Sequence, residues 1–338
     1  MKAVALLACC GALVAGIPSA GATGEEPADA LVYDAMAAPA TISYAGTVQM
    51  VRIGNAGSQA SVFRIEHRAP NMTMRRYTTP STLAGDYVIT KGVASYSVDV
   101  KRRRVVAGKN DAVNDQIAID NNYLLLRQNY RAVKRGAETV DGREVADVAL
   151  VSRYTRQTTV IVKIDTATKI VLDKQQFAGD GSLLAETRFE EVRFGAPMPD
   201  ADFALPRGYA NVSGPSFATP SDDPHAVTAN AGFAAREPRF LPDGFSPVEG
   251  SIVTLHGVRT LHVLYSDGLR TVSLFENDAS ATVNMGRFHP QPTTIGGSAA
   301  DYAESGPTTL LAWRDRGLRY ALVGELELAE LKRIASSI

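Results

Sequence analysis

Cysteine is nearly absent: Cys9 and Cys10 are the only two in a chain of 338 residues, and both fall in its first ten positions. If that stretch is removed, the remaining protein has no thiol with which to form a disulfide, ligate zinc or attack a substrate. An excess of one charge is missing too. With 35 basic and 36 acidic residues the net charge is −1, which supplies no general attraction to nucleic acid. No Gly-x-Ser-x-Gly stands anywhere in the chain, so the strained turn that exposes a hydrolase serine is not encoded, and the chain reads as a non-enzyme. Beyond Ile17 there is no apolar run long enough to span a bilayer.

The amino terminus has the layout of an export signal. Lys2 precedes an apolar run over residues 3–17, followed by Ser19, Ala20, Gly21 and Ala22. The run of about 15 residues is shorter than the roughly 20 needed to cross a membrane, so it reads as a removed leader, residues 1–22, and not as an anchor. Small residues at Ala20 and Ala22 place cleavage after Ala22, with Ala20 as second choice. The run Leu7-Ala8-Cys9-Cys10 invites a lipoprotein reading, but the eight residues before Cys9 leave too little apolar segment. The mature chain is expected to be exported. About 315 residues then remain, enough for two domains of about 150 each.

Strands dominate the first of these. After a helix expected over 27–38 and ended by Pro39, strands are expected at 47–53, 61–67, 72–77, 87–90 and 93–100, with turns at Asn55-Ala56-Gly57-Ser58 and Lys91-Gly92. Val113, Ile117, Leu124 and Leu125 recur at helical spacings, predicting one or two helices within 111–130. Short strands at 131–133 and 143–154 precede an antiparallel meander. In it Val160, Val162 and Ile164 share one face, and Gly179-Asp180-Gly181 reverses the chain into 182–194. About ten antiparallel strands twist and curl. The expected fold class is α+β, a strongly curved antiparallel sheet covering helices, followed by a smaller β-rich αβ domain.

Residues 207–238 are rich in Gly, Ser, Ala, Pro and Asn without period and read as a linker. Strands are then expected at 252–256, 258–265, 270–276 and 310–323, with a tight turn at Ser266-Asp267-Gly268 and a closing helix over 327–335. The boundaries are therefore 24–205 for the first domain, 206–237 for the linker and 238–338 for the second domain.

Several residues carry a choice between chemistry and structure. Among the five histidines, His67, His225, His256, His262 and His289, the pair His256 and His262 flanks a hairpin, but no carboxylate at ligand spacing completes a tetrahedral set. No metal or other cofactor is expected. His67 shares its strand face with Phe63 and Ile65, which favours packing or a hydrogen bond over catalysis. Asp141-Gly142 and Asp267-Gly268 are turn signals before they are catalytic carboxylates. The candidate liners of an apolar cavity are Met50, Phe63, Ile65, Met72, Met74, Tyr96, Val98, Leu124 and Leu125, most of them core by default. Arg75 and Arg76 together with Lys101, Arg102, Arg103 and Arg104 are candidates for a rim that meets anionic lipid; the plainer reading is a solvated strand end that discourages edge pairing.

Ordered along the chain, Tyr44-Ala45-Gly46-Thr47, Arg64-Ile65-Glu66-His67, Asp141-Gly142-Arg143-Glu144 and Ile164-Asp165 with the Gly181 turn and Phe189 resemble the first domain of the MucB/RseB family. The second domain resembles it through Phe240-Leu241-Pro242-Asp243-Gly244-Phe245, Tyr265-Ser266-Asp267-Gly268-Leu269 with Val272-Ser273-Leu274-Phe275, Val323-Gly324-Glu325 and the terminal Ile334-Ala335-Ser336-Ser337-Ile338. Glu325-Leu326-Glu327 departs from the family's Glu-Val-Pro, which puts the start of the last helix in doubt. The resemblance implies a LolA/LolB-like half-barrel with an acyl-chain cavity, joined to a smaller domain. It further implies a periplasmic regulator of the sigma-E/AlgU envelope-stress response. Such a protein binds the periplasmic part of a membrane anti-sigma factor of the RseA/MucA kind, protects it from proteolysis and releases it when lipid or lipopolysaccharide binds. The alternative is a LolA-like carrier of lipoproteins or lipids. Homo-oligomerisation is left open.

Overall fold

The computed structural model describes residues 26–54, 57–109, 116–212, 216–217, 220–255, 257–278, 290–305 and 307–338. The leader, both cysteines, the cleavage site, His256 and His289 lie outside the described residues.

The first domain opens with α1 (Ala28–Ala37), continued by a 3₁₀ turn over Ala38–Ala40 that accommodates Pro39. Six strands follow: β1 (Tyr44–Gly54), β2 (Gly57–Arg68), β3 (Met72–Thr79), β4 (Tyr87–Lys91), β5 (Ala94–Asp99) and β6 (Arg104–Lys109). Helix α2 (Gln116–Asn129) leads into β7 (Tyr130–Val140), β8 (Arg143–Ser152), β9 (Thr158–Asp165), β10 (Val171–Phe177) and β11 (Leu183–Phe194). These join with β12 (Ala210–Val212) in a twelve-stranded sheet of order β12-β6-β5-β4-β3-β2-β1-β11-β10-β9-β8-β7. Every pairing is antiparallel except the short parallel one between β12 and β6.

Alternation along the meander decides where the helices sit. Ala146, Val148 and Leu150 of β8 and Val160, Val162 and Ile164 of β9 line up in register on one face, and Leu31 and Val32 of α1 and Leu126 of α2 pack on them. Each such aliphatic side chain taken fully out of water contributes roughly 1.5–3 kcal/mol. The two helices also hold each other: Tyr33 Oη donates to Asp120 Oδ1 at 2.9 Å, and Tyr123 Oη donates to the Asp29 carbonyl at 2.9 Å. His67, 3 % exposed, stacks on Tyr44 and bonds the Pro39 carbonyl through Nε2 at 2.7 Å and Thr73 Oγ1 through Nδ1 at 2.9 Å. It pins the end of the first helix to the sheet, the packing role its neighbours suggested.

Residues 207–238 are more structured than their composition suggests. They hold β12, the two-residue β13 (Ser216–Phe217) and α3 (Pro224–Ala229), whose N-cap Asp223 accepts from the Ala226 N–H at 3.0 Å. Ala231, fully buried, already belongs to the core of the second domain. Small residues hide such docking because they carry little hydrophobic signal of their own.

The second domain adds β14 (Ser246–Leu255), β15 (Val258–Ser266), β16 (Thr271–Asn277), β17 (Gln291–Ile295), β18 (Ser298–Ser305), β19 (Thr308–Asp315), β20 (Leu318–Gly324) and α4 (Leu328–Ala335). Its eight strands run β13-β14-β15-β16-β20-β19-β18-β17. The single strand expected over 310–323 is two, β19 and β20. Arg316 and Gly317 adopt positive φ of 48° and 80° and turn the chain; no Asn-Gly or Asp-Gly marks that reversal. Leu331 and Ile334 of α4, both fully buried, close over Leu261, Leu274, Leu311 and Leu322. The fold class is therefore α+β, a curved sheet carrying helices joined to a smaller β-rich domain.

Candidate functional site

The two domains meet where the carboxyl end of α2 receives the β15–β16 turn, the segment Ser266-Asp267-Gly268-Leu269. Asp267 first shapes its own turn, accepting from the Leu269 N–H at 2.9 Å and the Arg270 N–H at 2.7 Å through Oδ1. Its second oxygen faces the other domain, where Tyr130 Oη donates to it at 2.6 Å, and Arg270 Nε donates to the same atom at 3.0 Å. Burial first, and the Asp267 charge second, push the Tyr130 hydroxyl well above the ordinary tyrosine range, so it remains a donor. Asn129 completes the contact: its Nδ2 donates to the carbonyls of Leu125, Gly244 and Asp267, and its Oδ1 accepts from Tyr154 Oη at 3.0 Å.

Glycine is required at this approach. Gly268 has φ +89°, and a Cβ there would strike the Leu126 backbone. Gly244 has φ +85°, and a Cβ there would come within 2.7 Å of the Asn129 side chain.

Beside this contact opens a groove of about 950 Å³ with walls from both domains. That is near the upper end of the roughly 300–1,000 Å³ usual for ligand sites. The first domain contributes Tyr154, Gln157, Phe177 and Leu184, and the second contributes Phe240, Pro242, Asp243, Arg270, Leu328 and Arg333. Arg333 lies over the Phe240 ring at 4.1 Å, and the Phe240 N–H donates to Ser337 Oγ at 3.0 Å. Arg270 lies over the Phe245 ring at 5.3 Å. The segments 240–245, 266–270 and 323–325, dispersed in sequence, thus reach the groove or the domain contact through Phe240, Asp243, Asp267, Arg270 and Glu325, while Ser337 of the last segment holds the Phe240 backbone. In the first domain, Asp165 closes its turn by accepting from Thr168 N–H and Oγ1 and pairs with Arg143, which lies over Phe194 at 4.6 Å. Burial opposes that carboxylate, but Arg143 and Thr168 together hold its pKa below the ordinary range.

The nine candidate cavity liners do not form one wall. Val48, Met50, Phe63 and Ile65 belong to the cluster on the helix side. Phe63 pairs with Tyr77 and Ile65 with Arg75, so the even-numbered residues of β3 face the other way. Met72, Met74, Tyr96 and Val98 accordingly pack on the opposite face, under Met198 and Phe203. Leu124 is 54 % exposed on α2, while Leu125 lies at its end against the domain contact. The basic residues also divide. Arg75 faces the helix side and Arg76 the opposite side, over Tyr87 at 4.4 Å. Lys101 donates to the Ser81 carbonyl, Arg102 pairs with Asp99 at 2.8 Å, and Arg103 lies over Tyr209 at 5.4 Å; all six basic residues are exposed.

His262 stacks on Phe275 at 4.7 Å, with Nε2 3.0 Å from Ser273 Oγ. Among the described residues no group of three or more His, Cys, Asp or Glu is placed to hold a metal ion. Among them, too, no helix is long and apolar enough to cross a membrane. Sequence reasoning missed Asn129 and Tyr130, which stand at the end of a helical pattern and carry no motif; Asp267 was legible only as a turn residue.

No family model matches the sequence, and no curated protein matches it. Solved structures do. The structure of MucB in complex with MucA(peri) aligns with 92 % of this chain and 97 % of its own at TM-score 0.60 and 18 % identity. The Pseudomonas aeruginosa MucA/MucB complex aligns over the same shares at 0.61 and 18 %. MucB alone aligns with 92 % of this chain and 96 % of its own at 0.56 and 17 %. The chain therefore has the fold of MucB, across both domains and in the same order.

Proposed function

We propose that this protein is a periplasmic, non-enzymatic regulator that binds the periplasmic part of a membrane anti-sigma factor, shields it from proteolysis and lets go when lipid or lipopolysaccharide binds. The observation that carries this reading is the two-domain likeness to MucB, a protein whose structure holds MucA, over nearly the whole chain. The interdomain groove is the partner site in this reading. Its volume and mixed lining suit an extended or helical peptide, and a peptide gripped by both domains depends on their relative placement. Lipid on the helix side of the first sheet would act through α2, whose carboxyl end is the domain contact. The basic end of that sheet, with Arg75 and Arg104 exposed, is the proposed meeting point for lipid phosphates.

The test is a pulldown from solubilised inner membrane with the exported chain as bait, repeated with lipopolysaccharide, and the bound proteins identified by mass spectrometry. Recovery of a single-span anti-sigma factor that is lost on adding lipopolysaccharide is the expected result. Acylated lipoproteins in its place would make the protein a carrier and overturn the regulator reading.

A further inference from the structure

On the face of the first sheet away from the helices lies a small bowl separate from the groove. Its floor is a cross-strand row: Lys163 of β9 pairs in register with Asp173 of β10, which pairs in turn with Arg188 of β11. Its wall is the tip of the β7–β8 hairpin, tied down across the sheet where Asp141 Oδ2 accepts from the Val192 N–H of β11 at 3.0 Å. At that point β11 is bulged. Thr47 opposes Glu191 and Val48 opposes Phe189, which leaves Glu190 without a partner on β1 and aimed off the ladder. The space enclosed is about 200 Å³, too small for an ordinary ligand site, which needs at least about 300 Å³, but ample for a single charged head group.

The charge of the bowl is unbalanced. Glu138, Asp141, Asp173 and Glu190 line it against two cations, Lys163 and Arg188. Lys163 is already committed, 3.1 Å from Glu138 and 3.6 Å from Asp173 Oδ2. The Asp173 side chain is 2 % exposed, and its Oδ1 has no hydrogen-bond partner within the protein. A buried carboxylate oxygen left without a donor is costly, and burial, with Glu186 nearby, raises the Asp173 pKa above the ordinary aspartate range. A guanidinium or primary ammonium group would supply what is missing: a positive charge and several N–H donors directed at Asp173 Oδ1, with Glu190 at the exposed rim as second acceptor. The set does not suit a metal ion, since no three carboxylates or histidines among the described residues converge on one point.

We propose that the bowl bounded by Asp173, Glu138, Glu190 and the Asp141 turn is a binding site for a small organic cation bearing a guanidinium or primary ammonium head. The site is independent of the partner groove. Methylguanidinium and N-acetylarginine amide are titrated into the isotope-labelled exported chain at ionic strength matched with sodium chloride, and backbone amide resonances are followed by NMR. Saturable shifts confined to β9, β10, β11 and the β7–β8 turn are expected. Binding should weaken at least about tenfold in Asp173→Asn and in Glu190→Gln, a change of about 1.4 kcal/mol. Glu190 is exposed, so its substitution leaves the fold in place and keeps the test decisive even if the buried Asp173→Asn variant folds poorly. Binding of methylguanidinium alone identifies a free cation as the ligand, and comparable binding of the blocked arginine identifies a protein side chain. Shifts no larger than those from sodium chloride, or equal shifts in wild type and Glu190→Gln, overturn the proposal.

Discussion

Replacing Glu276 by Gln should stabilise the second domain at alkaline pH and do little at acid pH. Glu276 lies in β16 opposite Tyr320, is fully buried, and both its carboxyl oxygens lie 3.1 Å from the Arg236 backbone N–H. Burial raises its pKa from the ordinary 4.5 to about 7, against the opposing pull of the Arg236 N–H. The folded protein therefore keeps a proton that the unfolded chain gives up between about pH 4.5 and 7, and stability falls as pH rises through that window. At about 1.4 kcal/mol per pH unit the full loss is about 3 kcal/mol above pH 7. A Gln side chain has nearly the same shape, still accepts from the Arg236 N–H and does not titrate. Any fixed cost of the amide is the same at every pH, so the informative quantity is how the difference between variant and wild type changes with pH. The chain's one tryptophan, Trp313, stacks on Tyr320 at 4.9 Å and reports unfolding of this domain by fluorescence. Urea titrations at pH 5 and pH 8 should show the Glu276→Gln advantage growing by about 2–3 kcal/mol at the higher pH. An advantage that is the same at both pH values would refute the reasoning, because it would mean that the buried carboxyl carries no excess proton.

Three further outcomes follow from the contacts described. Gly268→Ala forces a side chain onto φ +89° and into the Leu126 backbone, so the β15–β16 turn should lift from α2; faster amide exchange at residues 125–130 and 266–270, with a cost of roughly 1–3 kcal/mol, is the signature. Tyr130→Phe removes the donor to Asp267 Oδ2 but leaves Arg270 on that oxygen; a loss of about 1.5–3 kcal/mol is expected by denaturant unfolding, and no loss would show that the contact does not hold the domains. Burial lowers the His67 pKa below its ordinary 6.5, so the stability it confers is fully present above pH 6.5 and is lost as pH falls through the folded value. Its ring resonance should therefore titrate below 6.5 by NMR, and a midpoint at or above that value would contradict the buried placement.

Much of the architecture is written locally. Alternation in Val160, Val162 and Ile164, the Gly181 turn and the apolar face of α4 depend on neighbours two to four positions away, so the meander and the last helix could be read before any contact was known. The dispersed segments around Phe240, Asp267, Gly324 and Ser337 could likewise be singled out by order and resemblance. What they do could not be read: that Phe240, Arg270 and Glu325 line one groove with the first domain, and that the Asp267 turn docks on α2, depends on contacts between residues far apart in the chain.

The candidate cavity shows the same limit from the other side. Period two says that Met72 and Met74 share a face, but which face is set by the register of β3 against β2, and one residue of slip inverts it. Sequence alone thus determined the meander, the closing helix and the absence of a Gly-x-Ser-x-Gly motif, because those follow from local pattern. Tertiary structure alone decided which side chains share a wall, where the domains lock, and that Asp173 and Glu276 are buried, because burial and register are properties of the assembled sheet.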